Sequence, residues 1–250
     1  MSIQLGLTRV LQDTAVAAPL RGKRLGLVCH EASVDERCRH AVDLVQERQS
    51  ALGATLTAVF SPPHGLWGQD QDNMVETPHG RWKGVPLFSL YSETRKPTPA
   101  MLENVDTLVV DLQDIGTRIY TFAYTMSHVM EAAAEQGQEV VILDRPNPIG
   151  GEAVQGTLLD PGYRSFVGLY PLPTRHGLTM GELARWMNER HHPPASRPRI
   201  RAREAAHRRD RGRPLGARWA EGRYAWQDLP QKDREDSARF DEERRPYLLY

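Results

Sequence analysis

The sequence predicts an α/β protein built on a parallel sheet. Three observations carry that prediction. Short apolar runs alternate with helical patterns along the first 190 or so positions of the 250-residue chain. The run "VDTLVVDL", residues 105–112, is almost continuously apolar, as in strands covered on both faces. Each run also ends in a polar cluster, and in parallel α/β sheets ligands gather at the carboxyl ends of the strands.

In order, "RLGLVC" at 24–29 follows the basic turn "RGKR" and reads as a first buried strand. Residues 37–51 place Ala41, Val42, Leu44 and Val45 on one helical face. "TLTAVFS" at 55–61 is the second strand, and a long loop rich in Pro, Gly and His follows. "VPLFSLY" at 85–91 is the third strand, and "TPAMLENV" is a short helix with Thr98 as N-cap. Residues 105–112 give the fourth strand. Residues 117–136 read as a helix stopped by Gly137, and "EVVILD" at 139–144 is the fifth strand. "TMGELARWMNERH" opens with Thr179 and carries Glu182 three residues later, the pattern of a capping box.

Composition excludes little. Lys+Arg and Asp+Glu both number 32, so net charge offers no argument for nucleic acid or an acidic membrane. Two cysteines, Cys29 and Cys38, make neither a disulfide framework nor a zinc pattern and read as reduced thiols. Neither a signal peptide nor a run of ~20 apolar residues is visible, so the chain as written is expected in the cytoplasm, or secreted if the true start lies upstream. Glycine-rich phosphate motifs, GxSxG and HExxH are absent, so no cofactor and no metal are expected. From about residue 193 to 250 the chain is dominated by Arg, Asp and Glu without an amphipathic stripe, and reads as a solvated, irregular tail.

"FSPPHGLWG", "PLFSLY", "DTLVVDLQDIGTRIYTFAYTM", "VVILDRPNPIGG", "SFVG" and "PTRHGLTMGELA" occur in this order. Together they resemble the exo-β-N-acetylmuramidase family, catalogued earlier as a domain of unknown function, over roughly residues 1–190. The resemblance implies a Rossmann-like catalytic domain over 1–192 and a smaller C-terminal domain. It also implies release of terminal N-acetylmuramic acid from peptidoglycan fragments, with a carbohydrate partner and no organic cofactor. Two departures stand out. Pro63 occupies the place where many members carry a PEHG glutamate, their favoured catalytic acid. Residues 193–250 do not match the family's second domain and read as its truncated or aberrant remnant.

Glycoside cleavage generally uses one carboxyl as acid and a second as base or nucleophile. Candidates near the strand ends are Glu31, Asp35, Asp72, Glu76, Asp111, Asp114, Asp144 and Glu152. Asp114 is either catalytic or a helix N-terminal acid, Glu76 is the alternative to the missing glutamate, and Asp111 reads as structural. His64 is placed to donate to a sugar hydroxyl or tune an acid. Arg118 is either a clamp for the lactyl carboxylate or an ion-pair partner of Asp111 or Asp114. Tyr120 and Tyr124, four apart, read as one core-facing helix stripe. Asp144, Arg145 and Asn147 either bind substrate or fix their own loop, and Arg175 and His176 are placed at the same cleft. Pro63 leaves open a sugar-binding relative without hydrolase activity, and the charged tail leaves open an interaction protein.

Overall fold

The computed structural model describes residues 4–69, 78–193, 197–203 and 231–249. Its centre is a seven-stranded sheet: β1 (Arg24–Cys29), β2 (Thr55–Ser61), β3 (Gly80–Trp82), β4 (Val85–Ser89), β5 (Thr107–Asp111), β6 (Glu139–Leu143) and β7 (Arg199–Arg203). The strand order is β3-β4-β2-β1-β5-β6-β7, with every neighbour parallel except the β3–β4 pair.

The helices α1 (Gly6–Gln12), α2 (Thr14–Ala17), α3 (Ala41–Leu52), α4 (Pro99–Leu102), α5 (Phe122–Glu135), α6 (Met180–Arg190) and α7 (Gln231–Arg244) cover both faces in a Rossmann-like arrangement. Alternation along the strands divides the core. Val28, Leu108, Val110, Val140 and Ile142 face α5 and α6, whereas Leu27, Val109, Val141 and Leu143 face α1 and α3. Burial on both faces explains why the central strands read as unbroken apolar runs.

The five expected strands are present, with β1 and β2 at the expected limits. Thr98 caps α4, and both hydrogen bonds of the Thr179–Glu182 capping box form. One helix is shorter than its sequence pattern. Residues 117–121 are not helical, because Arg118 N–H donates to Thr174 O and Thr117 bridges Arg175. Tertiary pairing thus claims the backbone groups that a helix would have used.

The described parts of the charged segment, residues 197–203 and 231–249, differ from the expectation of a solvated tail. β7 extends the sheet beside β6, with Glu139 opposite Arg199 and Leu143 opposite Arg203. α7 inserts Phe240 against Trp186, ring centres 5.6 Å apart, and both side chains are fully buried. Trp186 Nε1 donates to Glu243 Oε1 at 2.9 Å, and Leu249 N–H donates to Glu182 Oε1 at 2.7 Å. One aromatic anchor and a set of specific polar contacts seat this helix, which is why no apolar stripe announces it. No described helix is long and apolar enough to cross a membrane.

Candidate active site

Parallel strands bring four loops to one edge of the sheet: residues 30–40 after β1, 62–69 after β2, 112–121 after β5 and 144–151 after β6. The registers place Cys29 level with Asp111, so the loops after β1 and β5 rise side by side. Gln113 N–H donates to His30 Nε2 at 3.1 Å and ties them together. With Nε2 accepting, neutral His30 carries its proton on Nδ1. Burial, and then the charges of Arg145 and His40, push its pKa down to about 3. His40 fixes the other side of this loop: its Nδ1 accepts from Val42 N–H at the start of α3, so Nε2 donates to His30 O at 2.8 Å.

Asp111 and Arg145 form the floor. Arg145 Nε and Nη2 donate to Asp111 Oδ1 and Oδ2 at 2.6 and 2.9 Å, and Nη2 also reaches Val34 O. Both side chains are almost wholly buried. Burial works against the guanidinium charge, and the Asp111 charge and hydrogen bonds overturn that effect and raise the Arg145 pKa. Asp111 is therefore structural, as expected, and Arg145 is spent on holding three strand-end loops rather than on a ligand.

Asp144 and Asn147 also lock their loop. Asp144 Oδ1 accepts from Arg145 N–H and Gly181 N–H, and its Oδ2 accepts from Thr179 Oγ1 at 2.8 Å, all beside the N-terminus of α6. Asn147 accepts from Ile149 N–H and donates to Leu178 O. Of the two open readings for these residues, loop fixing is the one their contacts display. Gly116, at φ +80°, is needed here: a Cβ would run into Asn147 Oδ1 and Ile149.

Arg118 makes neither of the expected ion pairs. Its Nη1 donates to Thr157 O at 2.8 Å and Leu172 O at 2.7 Å, bracing the 157–172 loop. Arg175 similarly donates to Gln155 Oε1 and to Ile149 O. A guanidinium committed to carbonyl oxygens in this way has fewer donors for a substrate carboxylate. Tyr124 faces the core from α5 as expected, and Tyr120 packs against the same core from outside the helix. Tyr124 is buried and donates to Arg118 O at 2.6 Å, whereas Tyr120 precedes α5 and stays half-exposed.

Asp114 is different. It is 3% exposed and lies eight positions before α5 begins, so it is not a helix N-terminal acid. Oδ2 accepts from Gly116 N–H at 2.6 Å. His176 Nδ1 accepts from Leu178 N–H, which leaves the proton on Nε2, 3.3 Å from Asp114 Oδ2. That contact has the distance of an ion pair but not the alignment of a hydrogen bond. Oδ1 of Asp114 has no hydrogen-bond partner among the described residues. A carboxylate oxygen not used by a protein donor is able to accept from a hydroxyl or a water molecule.

Tyr120 lies within the field of both Asp114 and Glu31, the latter exposed two residues beyond β1. Burial, then the charges of Glu31 and Asp114, raise the Tyr120 hydroxyl's pKa, so the three groups share one field. His64 adopts φ +76°, an uncommon conformation for a residue other than glycine, on the loop after β2. Trp67, Ile115 and Ile119 expose apolar surface on the same two loops, with Trp67 leaning on the His40 ring at 4.7 Å. Glu76 and Asp72 lie outside the described residues. No cluster of His, Cys, Asp and Glu that could hold a metal occurs among the described residues.

Sequence comparison decides the family. The model described as "Exo-beta-N-acetylmuramidase NamZ, N-terminal" matches residues 25–221. The chain belongs to the NamZ N-terminal family. The peptidoglycan β-N-acetylmuramidase NamZ of Bacillus subtilis (strain 168) is 46% identical over 188 residues, which cover 75% of this chain and 44% of that protein. Two crystal structures of DUF1343 family proteins from Bacteroides fragilis NCTC 9343 match the fold. One has a TM-score of 0.70 at 39% identity, covering 80% of this chain and 49% of that one. The other has a TM-score of 0.66 at 34% identity, covering 81% and 51%. The chain thus spans about half the length of these relatives. The NamZ match runs past residue 192, into the charged segment that supplies β7.

The sequence alone left two features unseen. Glu31 stood in a crowd of eight carboxylates with nothing to single it out. Arg244 of α7 carried no signal, yet it is 3% exposed and donates to Gly151 O, Glu152 O and Gly177 O. It braces the loop after β6 and the residue that follows His176.

Proposed function

We propose that this chain carries the catalytic cleft of a glycoside hydrolase that releases terminal N-acetylmuramic acid, or a related amino sugar, from peptidoglycan fragments. The single observation that carries the reading is Asp114. A carboxylate buried at the mouth of a parallel sheet, with one oxygen lacking a partner among the described residues, is poised for a polar ligand. Family membership supplies the class of ligand, since the Bacillus relative is named a peptidoglycan β-N-acetylmuramidase. Trp67 and Tyr120 offer faces on which a pyranose ring stacks, and His64 contributes an imidazole beside them. Glu76 remains a proposed contributor from the same loop.

In this reading Asp114 acts on the reacting centre, and Arg145, Asp144 and Asn147 hold the walls that aim it. Arg118, Arg175 and His176 are proposed substrate contacts at the same cleft. Incubation with a chromogenic aryl β-N-acetylmuramide tests the proposal. Saturable release of the aryl group is expected. Saturable binding without release would instead identify a sugar-binding module, the outcome that Pro63 in the β2 loop favours.

A further inference from the structure

We propose that Glu31 is the second catalytic carboxylate of this cleft, the proton donor that works opposite Asp114; the inference rests on the glycosidase reading above. Position comes first. Glu31 lies two residues beyond Cys29 and Asp114 three beyond Asp111, and those two residues are register partners on adjacent parallel strands. Adjacent strands lie about 5 Å apart, and the Gln113–His30 hydrogen bond holds the two strand ends together. The two carboxylates therefore rise from neighbouring loops into one cleft.

Three of the other described candidates are already committed. Asp111 is consumed by Arg145, and Asp144 by Thr179, Gly181 N–H and Arg145 N–H. Asp35 is held by Arg39 and by the backbone of residues 37 and 39. Residues 61–69, the described part of the β2 loop, contain no carboxylate. Glu31, in contrast, keeps 48% of its side chain exposed, and its ion-pair neighbour among the described residues is His30, with Nδ1 3.5 Å from Oε2. With its pKa near 3, that imidazole is neutral at ordinary pH and does not tie Glu31 down.

The β2 loop is shaped around this carboxylate. At Gly68, φ +63°, a Cβ would stand only 3.0–3.3 Å from the Glu31 carboxylate atoms. Glycine lets the loop lie directly against the acid. On the other side, the Tyr120 hydroxyl feels the charges of both Glu31 and Asp114.

The two environments divide the labour. Asp114 Oδ2 accepts from Gly116 N–H and lies 3.3 Å from His176 Nε2, donors that suit an anion facing the reacting carbon, whereas Glu31 is open to water and can exchange a proton with it. The Glu31 carboxyl gives its proton to the glycosidic oxygen while the C1–O bond breaks, its electron pair staying with that oxygen. The leaving sugar departs as an alcohol. Asp114 faces the positive charge that develops at C1. The oxygen of a water molecule then bonds to C1, its surplus proton passes to solvent, and Glu31 is reprotonated from water.

Leaving-group dependence tests this, because a merely structural residue would not show it. Wild type and Glu31→Gln are assayed on a dinitrophenyl β-N-acetylmuramide, whose leaving group needs no proton, and on a muramic acid–N-acetylglucosamine disaccharide, whose leaving group does. The expected loss in kcat/KM is roughly 10²-fold or more on the disaccharide, and much smaller on the aryl glycoside. Equal losses on both substrates, or no loss, would overturn the role of Glu31 and leave the glycosidase reading intact. A wild-type protein that cleaves neither substrate would overturn both.

Discussion

Replacing Asp111 by Asn removes a charge while keeping the shape of the side chain. The Arg145 guanidinium then remains buried, with an amide in place of its carboxylate. For charge centres about 4 Å apart, the lost attraction is about 4 kcal/mol at an effective dielectric of ~20. Measured losses on breaking buried pairs run to about 3–5 kcal/mol, because the stranded charge keeps its desolvation penalty. The pair here is closed from water, and the fork engages both carboxylate oxygens. A loss of about 3–5 kcal/mol is therefore expected, equivalent to roughly 6–20 °C in Tm for a folded unit of this size. Urea unfolding followed by tryptophan fluorescence reads it. Pairing Asp111→Asn with Arg145→Met should return part of the loss, since the stranded charge is then gone. A single-variant loss below about 1 kcal/mol would refute the reasoning, because it would mean that water reaches the guanidinium.

Arg118→Ala should cost about 1–3 kcal/mol of stability through the unpaired carbonyls of Thr157 and Leu172. It should weaken acidic and neutral sugar ligands alike, and a selective loss of the acidic ligand would restore Arg118 as a clamp. Arg244→Ala should expose the loop around residues 150–152 to limited proteolysis, with Arg244→Lys recovering part of the protection; unchanged cleavage kinetics would show that α7 does not brace that loop. Acid should weaken the fold through His30. Its folded pKa of about 3 lies below the unfolded value, so its contribution is complete above about pH 6.5 and is lost as pH falls toward 3. At pH 4 the loss from this residue is about 3 kcal/mol. Urea midpoints of wild type and His30→Gln at pH 7 and pH 4 check it, and equal acid sensitivity in the two proteins would contradict it.

The strands were legible because their chemistry is local. A run such as "TLVVD" has both faces covered, and five buried residues in sequence leave little else to infer. Caps were legible for the same reason, with Thr98 and Thr179 acting within three residues. Long-range pairing was not legible. Thr117 and Arg118 look helical until Thr174 and Arg175 arrive to take their backbone groups. Arg118 was tied to the wrong partners because carbonyls at Thr157 and Leu172 have no signature in sequence. α7 escaped because Phe240 and Arg244 anchor it singly rather than as a stripe. The strand-end rule gathers the candidate residues on the edge of the sheet where the loops after β1, β2, β5 and β6 emerge. It did not separate an acid that holds the scaffold, such as Asp144, from Asp114, whose Oδ1 has no partner among the described residues.

The cleft centred on Asp114 is tested most directly by one comparison. Release of free N-acetylmuramic acid from a muramic acid–N-acetylglucosamine disaccharide is measured for wild type and Asp114→Asn, with unfolding free energies recorded for both. Turnover should fall by roughly 10²-fold or more while the folded state persists. Near-normal turnover in a folded Asp114→Asn variant would contradict the account.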